Sequence, residues 1–171
     1  MYKKAKEFDV KIHDFETTIR IPYFHVKPLD DLQLGNWHQY LDFIEKANDF
    51  DQTIKLCERF LIVCTNCPEY WICYVQCMET AGSMEVANDA LTRATPTFVK
   101  RQTEIHIFAT RFKEQMEDIL GAHAEYQFLC IELPLGLLDA IIKHANLEYH
   151  LGSSNSAMSI FEIAIATEKE K

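Results

Sequence analysis

Glycine and proline are both scarce in this chain, with five of each among its 171 residues. Because tight turns and phosphate-binding loops depend on these two residues, all-β sandwiches and glycine-rich nucleotide loops are disfavoured. The sequence also lacks any apolar run long enough for a transmembrane helix, and its N-terminus carries charges where a signal peptide has an apolar core. These absences predict an intracellular chain of long helices, with no membrane segment.

Basic residues are outnumbered by acidic ones, with 17 Lys and Arg against 26 Asp and Glu and a formal net charge of −9. Binding to a phosphate backbone depends on clustered Lys and Arg. The basic groups in this sequence are small and separated, at residues 3–6 and at Lys100 and Arg101. We therefore expect any contact with RNA to be indirect at most.

Cysteine, in contrast, is well represented. A chain of this length with 48% hydrophobic residues buries enough surface to fold without disulfides or a metal. In a reducing compartment the thiols are therefore expected to be free. The six cysteines are Cys57, Cys64, Cys67, Cys73, Cys77 and Cys130.

A repeating unit organises the sequence, and its period of about 34 residues is that of a helix-pair repeat. The pattern Trp-x-x-Tyr occurs at Trp37 and Tyr40 and again, one period later, at Trp71 and Tyr74. A further period places Phe108 at the tyrosine position. We expect these aromatic side chains to fill the space between helices, because such rings bury large areas. A glutamate closes each segment at almost equal intervals, and bulky residues recur in the second halves: Glu45, Glu79, Glu114 and Glu148, then Cys57, Leu91, Tyr126 and Phe161.

Apolar residues three and four positions apart in both halves of each unit indicate amphipathic helices. We therefore predict an all-α fold, an α-α superhelix or solenoid of antiparallel helix pairs, in which neighbouring units stack to bury their apolar faces. Pro68 and Pro134 are placed to begin helices, and Gly82 and Gly152 to end them. The predicted helices are 3–20, 31–47, 50–65, 69–80, 84–95, 98–116, 119–132, 136–150 and 156–168. The predicted units are a leading helix of a preceding repeat at 1–20, an inserted loop at 21–31, and repeats at 32–68, 69–97, 98–133 and 134–171.

The repeat differs from a tetratricopeptide unit, because its aromatic residues are only three apart and no Leu-Gly lies between them. A Trp-x-x-Tyr helix with a glutamate near its end, followed by Glu-Arg or Thr-Arg in the second helix, instead resembles the half-a-tetratricopeptide (HAT) repeat of RNA-processing proteins. The residues that define the repeat are Trp37, Tyr40, Glu45, Glu58, Arg59, Pro68, Trp71, Tyr74, Glu79, Arg93, Phe108, Glu114, Tyr126, Glu148 and Phe161.

The segment PYFHVKPLD joined to a Trp-x-x-Tyr helix, together with CPEYWICYVQCMETAG and GLLDAIIKHANLEYHLG, resembles the pre-mRNA-processing factor 39 family in its plant-like form. Members of that family are several times longer, so the chain resembles one segment of the array. The resemblance implies a non-catalytic, nuclear splicing scaffold, a subunit of the U-one small nuclear ribonucleoprotein (snRNP) that acts in 5′ splice-site recognition. The implied partners are spliceosomal snRNP proteins and, in a homodimer or heterodimer, a second copy of the chain or a related HAT protein.

Charged residues at matching positions suggest how the two helices of a unit are joined. Glu45 precedes Arg59 by the same interval as Glu79 precedes Arg93. We predict that each pair forms an ion pair within its own unit. Phe128 and Ile163 replace the arginine in the last two units.

Two groups of residues have the chemistry of metal ligands but not the usual spacing. Cys64-x-x-Cys67 and Cys73-x-x-x-Cys77 could supply four thiolates to zinc, yet only five residues separate the pairs and a helix begins between them. We expect Cys73 and Cys77 to be small buried apolar residues on one side of that helix. His144 and Glu148 share a helix face without forming a His-Glu-x-x-His motif. We therefore predict no catalytic, cofactor-binding or metal-ligating residues and no cofactor.

Two other functions remain open at this stage. The first is a HAT scaffold of another RNA-processing complex, such as 3′-end cleavage or ribosomal RNA maturation, and PYFHVKPLD argues against it. The second and more remote is a helical metal-binding protein. That function requires carboxylates and histidines to converge within the helix layer, whereas the recurring positions there are aromatic and small.

Overall fold

The computed structural model describes residues 2–20, 22–24, 27–47, 49–131 and 138–169. In these ranges the chain forms nine α-helices and one π-helical turn and no β-strand, which confirms the all-α fold. None of these helices combines the length and the apolar character needed to span a bilayer. The helices are α1 Tyr2–Thr18, α2 Asp31–Lys46, α3 Phe50–Val63, α4 Pro68–Thr80, α5 Met84–Arg93, α6 Thr103–Gln115, α7 Ile119–Ile131, α8 Leu138–His150 and α9 Ser154–Lys169.

Helix ends follow local signals in the sequence. The Asp30 and Asp49 side chains accept hydrogen bonds from the third residue of α2 and α3, at 2.7 and 3.1 Å, and so satisfy backbone donors left free at a helix N-terminus. Pro68 is the first residue of α4, where its missing N–H costs no hydrogen bond. Gly82 and Gly152 end α4 and α8 with φ of +75° and +84°, a conformation that glycine adopts without strain. The predicted glycine positions are therefore confirmed; Pro134 lies outside the described residues.

One predicted helix begins later than expected. The sequence predicts a helix over 98–116, whereas α6 starts at Thr103. The turn Ala94–Phe98 continues α5 as a π-helix, and the Val99 N–H donates to the carbonyl of Ala94 at 3.1 Å. Pro96 has no N–H to donate to the preceding turn, so the hydrogen-bond pattern widens around it.

The core is divided into clusters that follow one another along the chain. The first cluster surrounds Trp37 at α1–α3, the second surrounds Trp71 and Tyr74, and a third includes Tyr126. Each helix packs mainly on its neighbours in sequence, which is how a solenoid is stabilised. The aromatic residues predicted to fill the space between helices are all buried: Trp37, Tyr40, Trp71, Tyr74 and Phe108.

The predicted ion pairs within units are wrong. Arg59 pairs with Glu16 of α1 and not with Glu45, and Arg93 pairs with Glu58 of α3 and not with Glu79. Glu79 instead accepts a hydrogen bond from Arg111 of α6 at 3.2 Å. The arginines of α3 and α5 reach back across the junction to the helix of the preceding pair, so they join successive pairs and not the two helices of one pair.

Candidate protein-binding surface

A cluster of three polar side chains joins α1, α2 and α3. The guanidinium of Arg59 donates to both carboxylate oxygens of Glu16, at 2.6 and 3.0 Å, and the Tyr40 hydroxyl donates to Oε1 of the same carboxylate at 3.0 Å. Bidentate pairing of this kind fixes orientation as well as distance. The Arg59 guanidinium also lies 5.9 Å from the ring centre of Trp37.

The same cluster recurs one unit later. Arg93 donates to both oxygens of Glu58 at 2.6 and 2.9 Å, Tyr74 donates to Oε1 at 3.0 Å, and the guanidinium lies 5.8 Å from the Trp71 ring. We call these two clusters the Glu–Tyr–Arg triads. The repeat-defining tyrosine and arginine therefore share one acceptor from the preceding unit, which fixes how successive helix pairs are oriented.

The second half of the chain is held by different polar contacts. Phe108 has no hydroxyl to take the place of Tyr74. Here the described polar contacts of Glu125 lie within one unit: this residue of α7 contacts two side chains of α6, the ring of His106 at 2.8 Å and the ammonium of Lys113 at 2.8 Å. The Tyr126 hydroxyl donates to Glu114 at 2.8 Å.

The carboxylates in the two triads are stabilised in their ionised form. For Glu16 the hydrogen bond from Arg59 is the main cause of a pKa below the ordinary value of 4.5. For Glu58 burial opposes ionisation, but hydrogen bonds from Arg93 and Tyr74 outweigh it and the pKa is again lowered. Hydrogen bonds to the charged form of a group favour that form. Glu16 and Glu58 therefore stay ionised to a lower pH in the folded chain than in the unfolded chain.

The lowered pKa of Glu58 predicts how stability depends on pH. A carboxylate whose pKa is lower in the folded chain contributes stability that is complete above its unfolded value and disappears as the pH falls through its folded value. We expect Glu58→Gln to lower the free energy of unfolding at pH 7, and the difference from wild type to shrink towards zero below pH 4.5, the ordinary pKa. Urea unfolding measured at pH 7, 5, 4 and 3 tests this.

The exposed Glu85 supplies the control for that experiment. Glu85→Gln should leave the unfolding free energy nearly unchanged, with a pH profile parallel to wild type. A Glu58→Gln difference that stays constant from pH 7 to pH 3 would show that ionised Glu58 does not stabilise the fold.

A cleft of about 590 Å³ opens beside α4, α6, α7 and α8. Phe108, Ile107 and Leu147 are among its apolar lining residues, and charged side chains line it as well. Apolar clefts with a few polar groups at the edge are the usual form of a binding site. The lining residues are Ile72, Glu104, Ile107, Phe108, Arg111, Glu114, Tyr126, Lys143, Asn146, Leu147 and His150.

Only some of the repeat-defining residues line this cleft. Phe108, Glu114 and Tyr126 line it, whereas the tryptophans lie in the core. Nothing in the sequence pointed to Arg111 or Lys143, because the repeat period identifies recurring residues and these two do not recur.

The last repeat-defining residue has a different environment. Phe161 lies on α9 and is 38% exposed, whereas Tyr126 at the matching position of the preceding unit is 2% exposed. The Phe161 side chain is therefore not enclosed as Tyr126 is, although the two residues occupy equivalent positions in the repeat.

The four cysteines considered as zinc ligands do not come together in the structure. All four are described, and no three of them lie close enough to hold one ion. Cys73 is exposed and Cys77 is half-buried, so the expectation that Cys73 is a buried apolar residue is wrong. The side chains that do bring three potential ligand atoms together are His123, His144 and Glu148, whose atoms lie within 4.8 Å of one another.

Comparisons with known proteins place the chain among HAT-repeat sequences. A family model described as PRP39 C-terminal HAT repeat matches residues 10–150. Pre-mRNA-processing factor 39-2 of Arabidopsis thaliana is 45% identical over 164 residues, which are 96% of this chain and 16% of that protein. Pre-mRNA-processing factor 39 of Schizosaccharomyces pombe is 36% identical over 86% of this chain and 24% of that protein. The protein of the same name from Homo sapiens is 32% identical, over 91% of this chain and 23% of that protein.

The chain thus spans about a quarter or less of the length of these relatives. Among solved structures, the crystal structure of MamA superposes with a TM-score of 0.56 at 15% identity, covering 98% of this chain and 92% of that chain. At this identity the likeness concerns the fold alone, a superhelix of helix pairs.

Proposed function

This chain belongs to the pre-mRNA-processing factor 39 family, and we propose that it acts as a non-catalytic scaffold in pre-mRNA splicing. The relatives that it matches are named as pre-mRNA-processing factors. Its part of the array would hold partner proteins in position. A stacked array of helix pairs suits this role, because it presents a long, rigid surface to other proteins.

We further propose that the partners are spliceosomal snRNP proteins, in the nucleus, and that the chain contributes to a U-one snRNP acting in 5′ splice-site recognition. The net charge of −9 favours protein partners over direct contact with RNA.

The cleft beside α4, α6, α7 and α8 is the observation that carries the proposal. Its apolar and charged lining residues suit an amphipathic helix or a peptide segment, with apolar anchors on the apolar residues and polar groups facing the charged ones. Glu104 and Glu114 would face basic residues of the partner, and Arg111 and Lys143 acidic ones.

Exposed apolar side chains on the last two helices and in the turn between them support a second contact, with another copy of the chain or with a related HAT protein. Tyr149 on α8, Leu151 in the turn and Met158 on α9 are all exposed, Met158 at 63%. Exposed apolar groups that lie close together are typical of surfaces that other proteins cover. Co-purification of two differently tagged copies of the chain, expressed together, tests the homodimer.

Affinity purification of the tagged chain from nuclear extract tests the proposed function. We expect snRNP proteins to co-purify with the wild type and to be reduced at least roughly tenfold by Asn146→Arg, which places a long charged side chain in the cleft. Asn88→Arg is the matched control, because Asn88 is an exposed asparagine on α5, outside the cleft. Nuclease treatment of the extract should leave the co-purified proteins unchanged.

Two results would contradict parts of this proposal. Absence of all snRNP proteins from the wild-type purification would exclude the splicing role. Equal recovery with Asn146→Arg and Asn88→Arg would show that the partners bind away from the cleft.

A further inference from the structure

Three side chains with free electron pairs converge where α7 packs on α8. The His123 Nδ1 lies 3.0 Å from the Glu148 Oε1 and 3.0 Å from the His144 Nε2. His144 is buried with its ring stacked on Tyr126, and the Glu148 side chain is only 12% exposed. Packing therefore holds His144 and Glu148 in place, and His123, whose side chain is 37% exposed, reaches them from α7.

The Nδ1 atom of His123 offers either one N–H or one lone pair, so it cannot make two full hydrogen bonds at once. If Nδ1 carries a proton and donates it to Glu148, that proton is not available for a full hydrogen bond to His144 Nε2. If Nδ1 is unprotonated and accepts from His144, its lone pair faces the carboxylate oxygen of Glu148. One cation among the three ligand atoms would satisfy both contacts.

We propose that His123, His144 and Glu148 form a Zn²⁺ site that joins α7 to α8. Two imidazoles and one carboxylate are a common zinc ligand set, and the fourth position is left for water. His144 and Glu148 are one helical turn apart on α8 and His123 comes from the opposing helix, so the ion would cross-link the two helices.

The distances agree with the size of such a site. Zinc bonds to nitrogen and oxygen of about 2.0–2.2 Å place tetrahedral ligand atoms roughly 3.3–3.5 Å apart. The contacts of 3.0 Å would open by a few tenths of an ångström. The remaining pair of ligand atoms lies within 4.8 Å, so a small side-chain rotation brings it to the same range.

A side chain next to His123 can orient it as a metal ligand. The other ring nitrogen of His123, Nε2, lies 2.9 Å from the side-chain nitrogen of Gln127, one helical turn away. Histidines that bind metals usually donate their second N–H to an oxygen, which fixes the ring orientation. Rotating the Gln127 amide by half a turn presents its oxygen to this N–H.

The proposed site lies at a junction that has lost its Glu–Tyr–Arg triad. The repeat period places Gln127 and Ile163 where the second triad has Glu58 and Arg93, so the junction has neither the carboxylate nor the guanidinium of that cluster. A metal cross-link would fix the orientation of α8 in its place. Since α8 supplies one wall of the cleft, the ion would also fix the shape of that wall.

Titration of the chelator-treated chain with Zn²⁺ alone, followed by calorimetry, tests the proposal. We expect one Zn²⁺ per chain, with affinity lowered at least roughly tenfold in His123→Gln and in Glu148→Gln. Bound zinc should also raise the thermal midpoint of the wild type, because an ion that binds only the folded state stabilises it. Both variants retain side chains of similar size, and circular dichroism without metal will show whether they fold.

Two controls separate this site from other zinc ligands. His150→Gln changes an exposed histidine two residues beyond Glu148 and should keep wild-type affinity. The double variant Cys64→Ser with Cys67→Ser should keep it as well, and Co²⁺ in place of Zn²⁺ should show no thiolate charge-transfer band. The proposal is overturned if the wild type does not bind Zn²⁺, if both ligand variants bind as tightly as wild type, or if the cobalt spectrum shows thiolate ligation.

Discussion

Trp71→Ala lowers the free energy of unfolding by about 3–5 kcal/mol, the range for removing a large buried aromatic side chain. Trp71 is 2% exposed and lies in the central core cluster, enclosed by side chains of neighbouring helices. Its Nε1–H donates to the backbone carbonyl of Thr65 at 2.9 Å, so the substitution also leaves a buried acceptor without this donor. Urea unfolding followed by circular dichroism measures the loss.

A matched control distinguishes the cavity from the loss of an aromatic ring as such. Tyr23→Ala removes a ring that is 58% exposed in the segment between α1 and α2, and we expect it to change the free energy of unfolding by less than about 0.5 kcal/mol. A loss of less than about 1 kcal/mol for Trp71→Ala would show that this tryptophan does not hold the unit together.

Glu125→Gln is the second substitution for which we expect a large loss, of about 3 kcal/mol. The Glu125 side chain is 13% exposed and accepts a hydrogen bond from the Lys113 ammonium. The Lys113 side chain is itself only 21% exposed, and Glu125 compensates its charge. Glu125 also contacts the ring of His106, which is buried. Burial raises the pKa of Glu125, but hydrogen bonds from His106 and Lys113 outweigh it, so the net shift is downward and the group is ionised at neutral pH. Urea unfolding at pH 7 measures the loss.

Glu162→Gln is the control for this substitution, because it makes the same chemical change at an exposed position of α9. We expect it to leave the free energy of unfolding within about 0.5 kcal/mol of wild type. Equal effects of Glu125→Gln and Glu162→Gln would mean that the contacts of Glu125 stabilise the fold no more than an exposed carboxylate does.

Part of each Glu–Tyr–Arg triad could be predicted from the sequence, because its tyrosine and arginine recur. The repeat period identified Tyr74 and Arg93 as equivalent to Tyr40 and Arg59, and the structure places both sets in the same arrangement. The repeat period could not identify the glutamate that each tyrosine and arginine share. The glutamates that accept these hydrogen bonds lie on the helix before each unit, and a spacing along one chain does not say which of several glutamates an arginine reaches.

The cluster of His123, His144 and Glu148 shows the same limit more clearly. The sequence placed His144 and Glu148 on one helix face, because four residues complete about one turn. It did not bring in His123, which comes from a different helix and lies outside the repeat pattern. The convergence depends on how α7 is rotated about its axis relative to α8, and the spacing of residues along the chain does not give that angle.

The sequence alone determined the all-α array of helix pairs, the buried aromatic positions and the resemblance to the pre-mRNA-processing factor 39 family. The fold and the buried positions follow from spacing along the chain, since apolar residues three and four apart form a helix face and the repeat period reproduces that face in each unit. The resemblance rests on particular segments, PYFHVKPLD and GLLDAIIKHANLEYHLG among them. Tertiary structure alone decided the partner of each charged side chain, the cleft beside α6 and α8, and the meeting of His123 with His144 and Glu148. The physical reason is that ion pairs and metal ligands need contacts of about 2–3 Å. Such contacts depend on the crossing angle and rotation of packed helices, which many side chains set together.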